Sequence, residues 1–211
     1  EFFATSARLC FVPRPNSPTG VCAPRAAMER LCRDFDGLVV IDEAYADFAD
    51  DTCLDFPRRF ENALVMRTFS KSFSLAGMRI GTVVAQPGII AEFLKTKDSY
   101  NMDAVSQAAG LAALEDYDYM LANAALIRAT RARMIDGLRA LGFKVPASQS
   151  NFVLAQWDGS PAAPGLYRAL RDRAILVRYF PVRRTDNALR ITVGTEAQTD
   201  ALLTALAEIV G

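Results

Sequence analysis

The sequence predicts an α/β fold: part of a large domain built on a mainly parallel sheet, followed by a small C-terminal α+β domain. Three observations carry that expectation. The runs Leu-Val-Val-Ile at 38–41 and Ala-Leu-Val-Met at 63–66 are apolar at every position, as strands buried on both faces must be. Helical or turn-rich stretches separate these runs from each other and from an earlier apolar run at 8–12, the alternation expected of an α/β layout. Beyond about residue 150 the pattern changes to short strands separated by one helix and loops.

Taken in order, residues 8–12 (Arg-Leu-Cys-Phe-Val) read as a strand that ends at Pro13. The segment 13–20, Pro-Arg-Pro-Asn-Ser-Pro-Thr-Gly, is too punctuated for regular structure. Pro24 suits the first turn of a helix reaching about Asp36, in which Ala27, Met28, Leu31, Cys32 and Phe35 recur at helical spacing and Gly37 closes the end. The strand at 38–41 runs into Asp42-Glu-Ala-Tyr45, and the strand at 63–66 into the segment 67–77, Arg-Thr-Phe-Ser-Lys-Ser-Phe-Ser-Leu-Ala-Gly. Residues 79–85 predict a third strand of the same kind, and Pro87 opens a helix to about Lys97. From about Asp103 to Leu141 the pattern is helical throughout, a long connector ended by Gly142. Strands are expected at 151–155, 175–179 and 189–193, and the last helix starts at Thr195 with Gln198 three residues on, the pattern of a capping box. The predicted division is residues 1–117 for the large-domain part and 118–211 for the small domain.

Composition narrows the chemistry. The chain has 211 residues, with 24 Lys and Arg against 24 Asp and Glu, so a nucleic-acid surface is not expected. No apolar run approaches the length needed to span a bilayer. The chain opens on Glu-Phe-Phe with no basic region, so no signal peptide is expected, and the absence of an initiator Met suggests a start partway through something larger. There is no histidine, which excludes Ser-His-Asp and Cys-His nucleophile pairs and His-bearing zinc sites; no metal is expected. Any general base must be a Lys, a carboxylate, a Tyr or a Cys. Cys10, Cys22, Cys32 and Cys53 form no C-x-x-C pair and read as reduced, mostly buried thiols of a cytoplasmic protein.

Two places carry chemistry. Asp42 stands at the carboxyl end of a buried parallel strand, where open α/β sheets bind ligands. By itself it reads more readily as a turn or capping aspartate, and Tyr45 as a half-buried core tyrosine. Lys71 lies between aromatic residues and hydroxyls in Thr-Phe-Ser-Lys-Ser-Phe-Ser at 68–74, a setting that favours an uncharged, nucleophilic amine; the alternative is a solvated loop lysine. Ser70, Ser72, Ser74, Gly77 and Arg79 around it suit an anion cradle.

Taken together, the segments resemble the fold-type I aminotransferases that use pyridoxal phosphate, and among these the histidinol-phosphate aminotransferases. The resemblance rests on Pro-Asn-Ser-Pro-Thr-Gly at 15–20, Val-Ile-Asp-Glu-Ala-Tyr at 40–45, the run 67–81 from Arg-Thr-Phe-Ser-Lys to Met-Arg-Ile-Gly, and Ser-Gln-Ser-Asn-Phe-Val-Leu at 148–154. Ile-Leu-Val-Arg-Tyr-Phe at 175–180 and Leu-Arg-Ile-Thr-Val-Gly-Thr at 189–195 complete it, in the family's order across nearly the whole chain. It implies that Lys71 binds the cofactor covalently and later shuttles a proton. It implies further that Asp42 pairs with the pyridinium nitrogen, that Tyr45 donates to the phenolic oxygen, and that Ser70, Arg79 and Thr68 hold the phosphate. Arg190, assisted by Arg178, would clamp the anionic end of a small-molecule substrate; without that role each reads as a surface salt bridge. A homodimer without nucleic-acid or membrane partners is also implied.

Two departures stand out. The family usually has a second Asn where this chain has Ser17, which leaves Asn16 as the residue expected against the phenolic oxygen. Members also carry well over a hundred residues before the first strand seen here. Aromatic aminotransferases and threonine-phosphate decarboxylases share Lys71, Asp42 and Arg79, so those residues do not separate them. A contrasting reading is a truncated or split product that keeps the motifs and serves as a binding or assembly half.

Overall fold

A computed structural model describes residues 6–211; residues 1–5 of the predicted large-domain part lie outside the described residues. The chain forms two compact units, one comprising the chain up to Asn16 together with Cys22–Asn123, the other Ser17–Val21 with Ala124–Gly211.

The first unit holds a four-stranded sheet, β1 (Leu9–Pro13), β2 (Leu38–Asp42), β3 (Ala63–Thr68) and β4 (Gly81–Val84), in that order. β1, β2 and β3 are parallel, as the unbroken apolar runs predict. The third strand departs from expectation: β4 is antiparallel to β3. The reason lies in the connection, residues 69–80. It contains a single 3₁₀ turn, Ala76–Met78, and no crossover helix to return the chain to the sheet's starting edge. β4 also begins later than predicted because Arg79 has a left-handed backbone, φ 55°.

One face of the sheet, presenting Cys10, Val39, Ile41, Ala63 and Val65, packs against Met28, Leu31 and Cys32 of helix α1 (Arg25–Asp34), Phe35, and Phe56 of the single-turn α2 (Phe56–Arg59). Pro24 is the residue before α1, not its first member. The amide of Asn62 donates to the carbonyls of Cys32 and Gly37, both at 3.0 Å, satisfying acceptors around the end of α1.

Helices α3 (Pro87–Thr96), α4 (Ala104–Glu115) and α5 (Tyr117–Ala140) follow. The long helix expected from 103 to 141 is thus two. Asp116 leaves helical geometry at φ −103°, ψ 42°, while Asp118 takes up the first turn of α5, where a negative charge meets the helix dipole favourably. Asp103 caps α4 by accepting from the Ser106 amide at 2.9 Å. Among the described residues no helix is long and apolar enough to cross a membrane.

The second unit is an antiparallel sheet of β5 (Phe152–Gln156), β6 (Arg178–Tyr179) and β7 (Ala188–Thr192), ordered β5-β7-β6, with α6 (Ala163–Asp172) and α7 (Glu196–Val210). Val153, Ala155, Leu189 and Ile191 meet Leu138, Leu166, Leu170, Leu202 and Leu206 in its core. The predicted capping box is present at α7, the Thr195 hydroxyl accepting from the Gln198 amide and the Gln198 carboxamide from that of Thr195. β6 is shorter than the expected strand 175–179, because its pairing with β7 covers just two positions. Gly20 is required where it stands: its φ is +74°, and a Cβ there would lie 2.1 Å from the Ser148 hydroxyl.

All four cysteines are free, with Cys10, Cys32 and Cys53 buried. Burial pushes the Cys32 thiol up to about 11 and the Cys53 thiol up to about 12. At pH 8 both are expected to alkylate at least about a hundredfold more slowly in the folded chain than in urea, since the thiolate is the reacting form. Mass spectrometry after iodoacetamide measures this, and equal rates in the two states would contradict it.

Candidate active site

Asp42 is the last residue of β2, in register with Pro13 of β1 and Met66 of β3, at the carboxyl edge of the parallel strands. Its Oδ1 accepts from the Ala44 amide at 3.0 Å. The acids that follow it are differently placed. Glu43 and Asp51 face Arg14, and Glu43 and Asp47 face Arg67. Asp42 makes no ion pair among the described residues, which suits a carboxylate kept for a cationic N–H of a ligand.

Tyr45 lies in the turn after β2, and the Lys71 ammonium is 5.5 Å from the centroid of its ring. Lys71 is exposed and has no carboxylate partner among the described residues. Its loop is shaped locally. The Phe69 amide donates to Ile80 O at 3.1 Å, Ser74 to Lys71 O at 3.1 Å and Leu75 to Phe69 O at 3.0 Å, while the rings of Phe69 and Phe73 stack at 4.7 Å. The Thr68 hydroxyl donates to Ile80 O at 3.2 Å and accepts from the Ser70 amide at 3.1 Å, so Thr68 builds the loop. Arg79 closes it in a left-handed conformation, one guanidinium N–H donating to Ala76 O at 3.0 Å and its side chain exposed. Non-glycine residues held at positive φ concentrate at ligand sites. Asn16 sits half-buried three residues beyond β1.

Thus Asp42, Tyr45, Thr68, Ser70, Lys71 and Arg79 all belong to the first unit, at the last residues of β2 and β3 or on the segments that follow them. Arg178 and Arg190 belong to the second. They are directly opposite one another in the β6–β7 register. Like charges so placed repel. Neither has the salt-bridge partner that the surface reading requires, among the described residues. Instead the Phe180 ring takes both, with guanidinium carbons 5.3 and 5.5 Å from its centroid, and Arg190 also lies 5.1 Å from that of Phe152. The Arg190 guanidinium donates to the Ser17 hydroxyl at 3.2 Å. A cavity of about 550 Å³ lies beside it, lined by Ser17, Phe180, Arg183, Arg184 and Arg190 among others.

Sequence reasoning missed Ser17, Phe152 and Phe180 as neighbours of Arg190. The spacing of Phe180 two residues beyond Arg178, just past the end of β6, was a usable signal for the last. It also missed the buried pair Arg14 and Glu43 and the link from Arg67 to Asp47, for which isolated charges beside apolar runs were the signal.

The sequence profile of the family described as aminotransferase class I and II matches residues 4–206. The chain belongs to that family. The chain is 45% identical over 205 residues to the histidinol-phosphate aminotransferase of Microcystis aeruginosa, covering 97% of the chain and 59% of that relative. It is 46% identical to that of Geobacter sulfurreducens, covering 96% of the chain and 57% of the relative. It therefore spans a little over half the length of these relatives. Among solved structures, the histidinol-phosphate aminotransferase from Sinorhizobium meliloti in complex with pyridoxal-5′-phosphate superposes with a TM-score of 0.84 at 28% identity, over 97% of this chain and 57% of that one. The aminotransferase fold predicted from the motifs is the fold observed.

Proposed function

We propose that this chain forms the lysine-bearing part of a pyridoxal-phosphate-dependent aminotransferase that converts histidinol phosphate and 2-oxoglutarate to imidazole acetol phosphate and glutamate. One observation carries the cofactor reading: a lysine and an aspartate, neither in an ion pair among the described residues, stand on adjoining segments at the carboxyl edge of the parallel strands, with Tyr45 against the lysine. The donor set fits pyridoxal phosphate, with an amine for its aldehyde, a carboxylate for its ring N–H, a phenol for its oxygen, and hydroxyl and guanidinium groups for its phosphate. When bound, that group supplies a sink for the electron pair released at the substrate carbon.

The chain's own residues supply the rest. Asp42 holds a proton on the ring nitrogen. Tyr45 and Asn16 orient the phenolic oxygen. Ser70 and Arg79 anchor the phosphate, with Thr68 shaping the turn beneath them. Lys71 takes the proton from the substrate carbon and returns it elsewhere. In the second unit, Arg190 and Arg178 bind the anionic end of the substrate, and two guanidinium groups side by side favour a phosphate or carboxylate. The identity to histidinol-phosphate aminotransferases supports the substrate. A cytoplasmic homodimer is the setting that this reading implies, and reduced thiols fit it.

A panel of amino donors tests the substrate, offered to the chain alone and co-expressed with an N-terminal piece of a relative. Turnover of histidinol phosphate is expected; brisk turnover of phenylalanine with none of histidinol phosphate would overturn the choice. Activity in the isolated chain would refute the reading as a non-catalytic half. Asp42→Ala is expected to lower turnover about 10²- to 10³-fold while weakening cofactor affinity less than about tenfold, because the charge matters most in the transition state. Equal losses would mean that Asp42 merely anchors the cofactor.

A further inference from the structure

We propose that Asp47 is a positioning residue for Lys71, holding the lysine-bearing turn through Ser72 while Arg67 holds Asp47. The tether is read from contacts alone; its meaning for catalysis rests on Lys71 being the cofactor lysine.

Asp47 lies in the 3₁₀ turn Ala46–Phe48 that follows β2, immediately after Tyr45 and Ala46. Its Oδ1 accepts from the Arg67 guanidinium at 2.7 Å, and its Oδ2 accepts from the Ser72 hydroxyl. Arg67 is the penultimate residue of β3, and its Nε also lies 3.3 Å from Oε2 of the buried Glu43. One carboxylate thereby joins the turn that carries Tyr45 to the loop that carries Lys71, with its charge balanced by an arginine anchored on the strand between them.

The loop needs such a tie. Its backbone bonds close the turn upon itself, from Ser74 to Lys71 and from Leu75 to Phe69. On the side of α4 and α5 it borders a cavity of about 400 Å³ lined by Ser72, Phe73, Ser74, Ala112 and Met120 among others, so packing leaves residue 72 open there. Ser72 and Lys71 are adjacent, and fixing one fixes the direction in which the other leaves the chain. The Lys71 ammonium on the Tyr45 ring makes the second side of the same frame. Asp47 accepts at both oxygens and carries the charge that balances Arg67; a carboxamide keeps one acceptor and loses that charge.

The test uses the whole 211-residue chain as wild type, Ser72→Ala, Ser72→Thr and Asp47→Asn. Hydrogen exchange reads the amides of residues 70–74. Peptide mapping after addition of pyridoxal phosphate and borohydride reads the concentration at which Lys71 becomes labelled. Ser72→Ala and Asp47→Asn are expected to speed loop exchange about tenfold with β2 and β3 unchanged, and to raise the half-labelling concentration about tenfold. Ser72→Thr, which keeps the hydroxyl, is expected to restore both. Exchange within about twofold of wild type in Ser72→Ala would overturn the tether, and faster exchange with unaltered labelling would overturn its positioning role. If pyridoxal phosphate does not select Lys71 even in wild type, the cofactor reading fails, while loop exchange still decides the tether.

Discussion

Lys71→Ala is expected to lower transamination by about 10⁴-fold or more, the scale of loss when the group that both bonds and moves a proton is removed. The argument turns on the four lysines of the chain. Lys95 is paired with Glu92 at 2.5 Å and Lys144 with Asp158 at 2.9 Å, while Lys97 donates to the carbonyls of Asp98 and Tyr100. Lys71 instead lies at the carboxyl edge of the parallel strands against the face of the Tyr45 ring, with no carboxylate partner among the described residues. Turnover by the alanine variant within about a hundredfold of wild type would remove the role given to this residue. The measurement is a steady-state assay with histidinol phosphate as donor.

Glu43→Ala is expected to destabilise the first unit by about 3–5 kcal/mol. Glu43 is 1% exposed and Arg14 equally so. The carboxylate accepts from the Thr52 hydroxyl and the Cys53 amide, both at 2.5 Å, and stands 3.6 Å from Arg14 and 3.3 Å from Arg67. Taking it away strands two donors and leaves two guanidinium groups each short of a counter-charge, the circumstance in which a buried pair is costly to break. Glu43→Gln keeps an acceptor for the amide and should lose less. Urea unfolding followed by far-ultraviolet circular dichroism measures both. A loss under about 1 kcal/mol for the alanine variant would mean that Asp51 and Asp47 alone balance the arginines.

The parallel core was legible because its signal is local: runs such as Val39 to Ile41 are apolar without alternation, and only a two-sided environment accepts that. The reversal at β4 was not. Residues 81–84 look like the strands before them, and the direction is set by the connection, whose residues serve the lysine loop rather than a crossover helix. The capping box at Thr195 was readable because both of its partners lie within four residues. The break at Asp116 rests on a single residue inside a helical pattern, and periodicity averages over it.

The candidate site divides the same way. Lys71, Asp42 and Tyr45 stand in segments whose composition is odd for a loop or a strand end, and the family resemblance gathers those segments. What sequence could not supply were contacts made by side chains far apart in the chain. Arg190 meets Ser17 across 173 positions, Ser72 meets Asp47 across 25, and Arg14 meets Asp51 across 37. No periodicity encodes such pairs. Their shared physical cue is a charged residue beside apolar ones, which demands a partner without saying which.

The most direct measurement adds pyridoxal phosphate to the purified chain, records the visible spectrum, reduces with borohydride and maps the label by peptide mass spectrometry. The site described here predicts a new visible absorption band and a label confined to Lys71. Label scattered over Lys95, Lys97 and Lys144, or no band at all, would contradict the claim that these residues by themselves assemble the cofactor site.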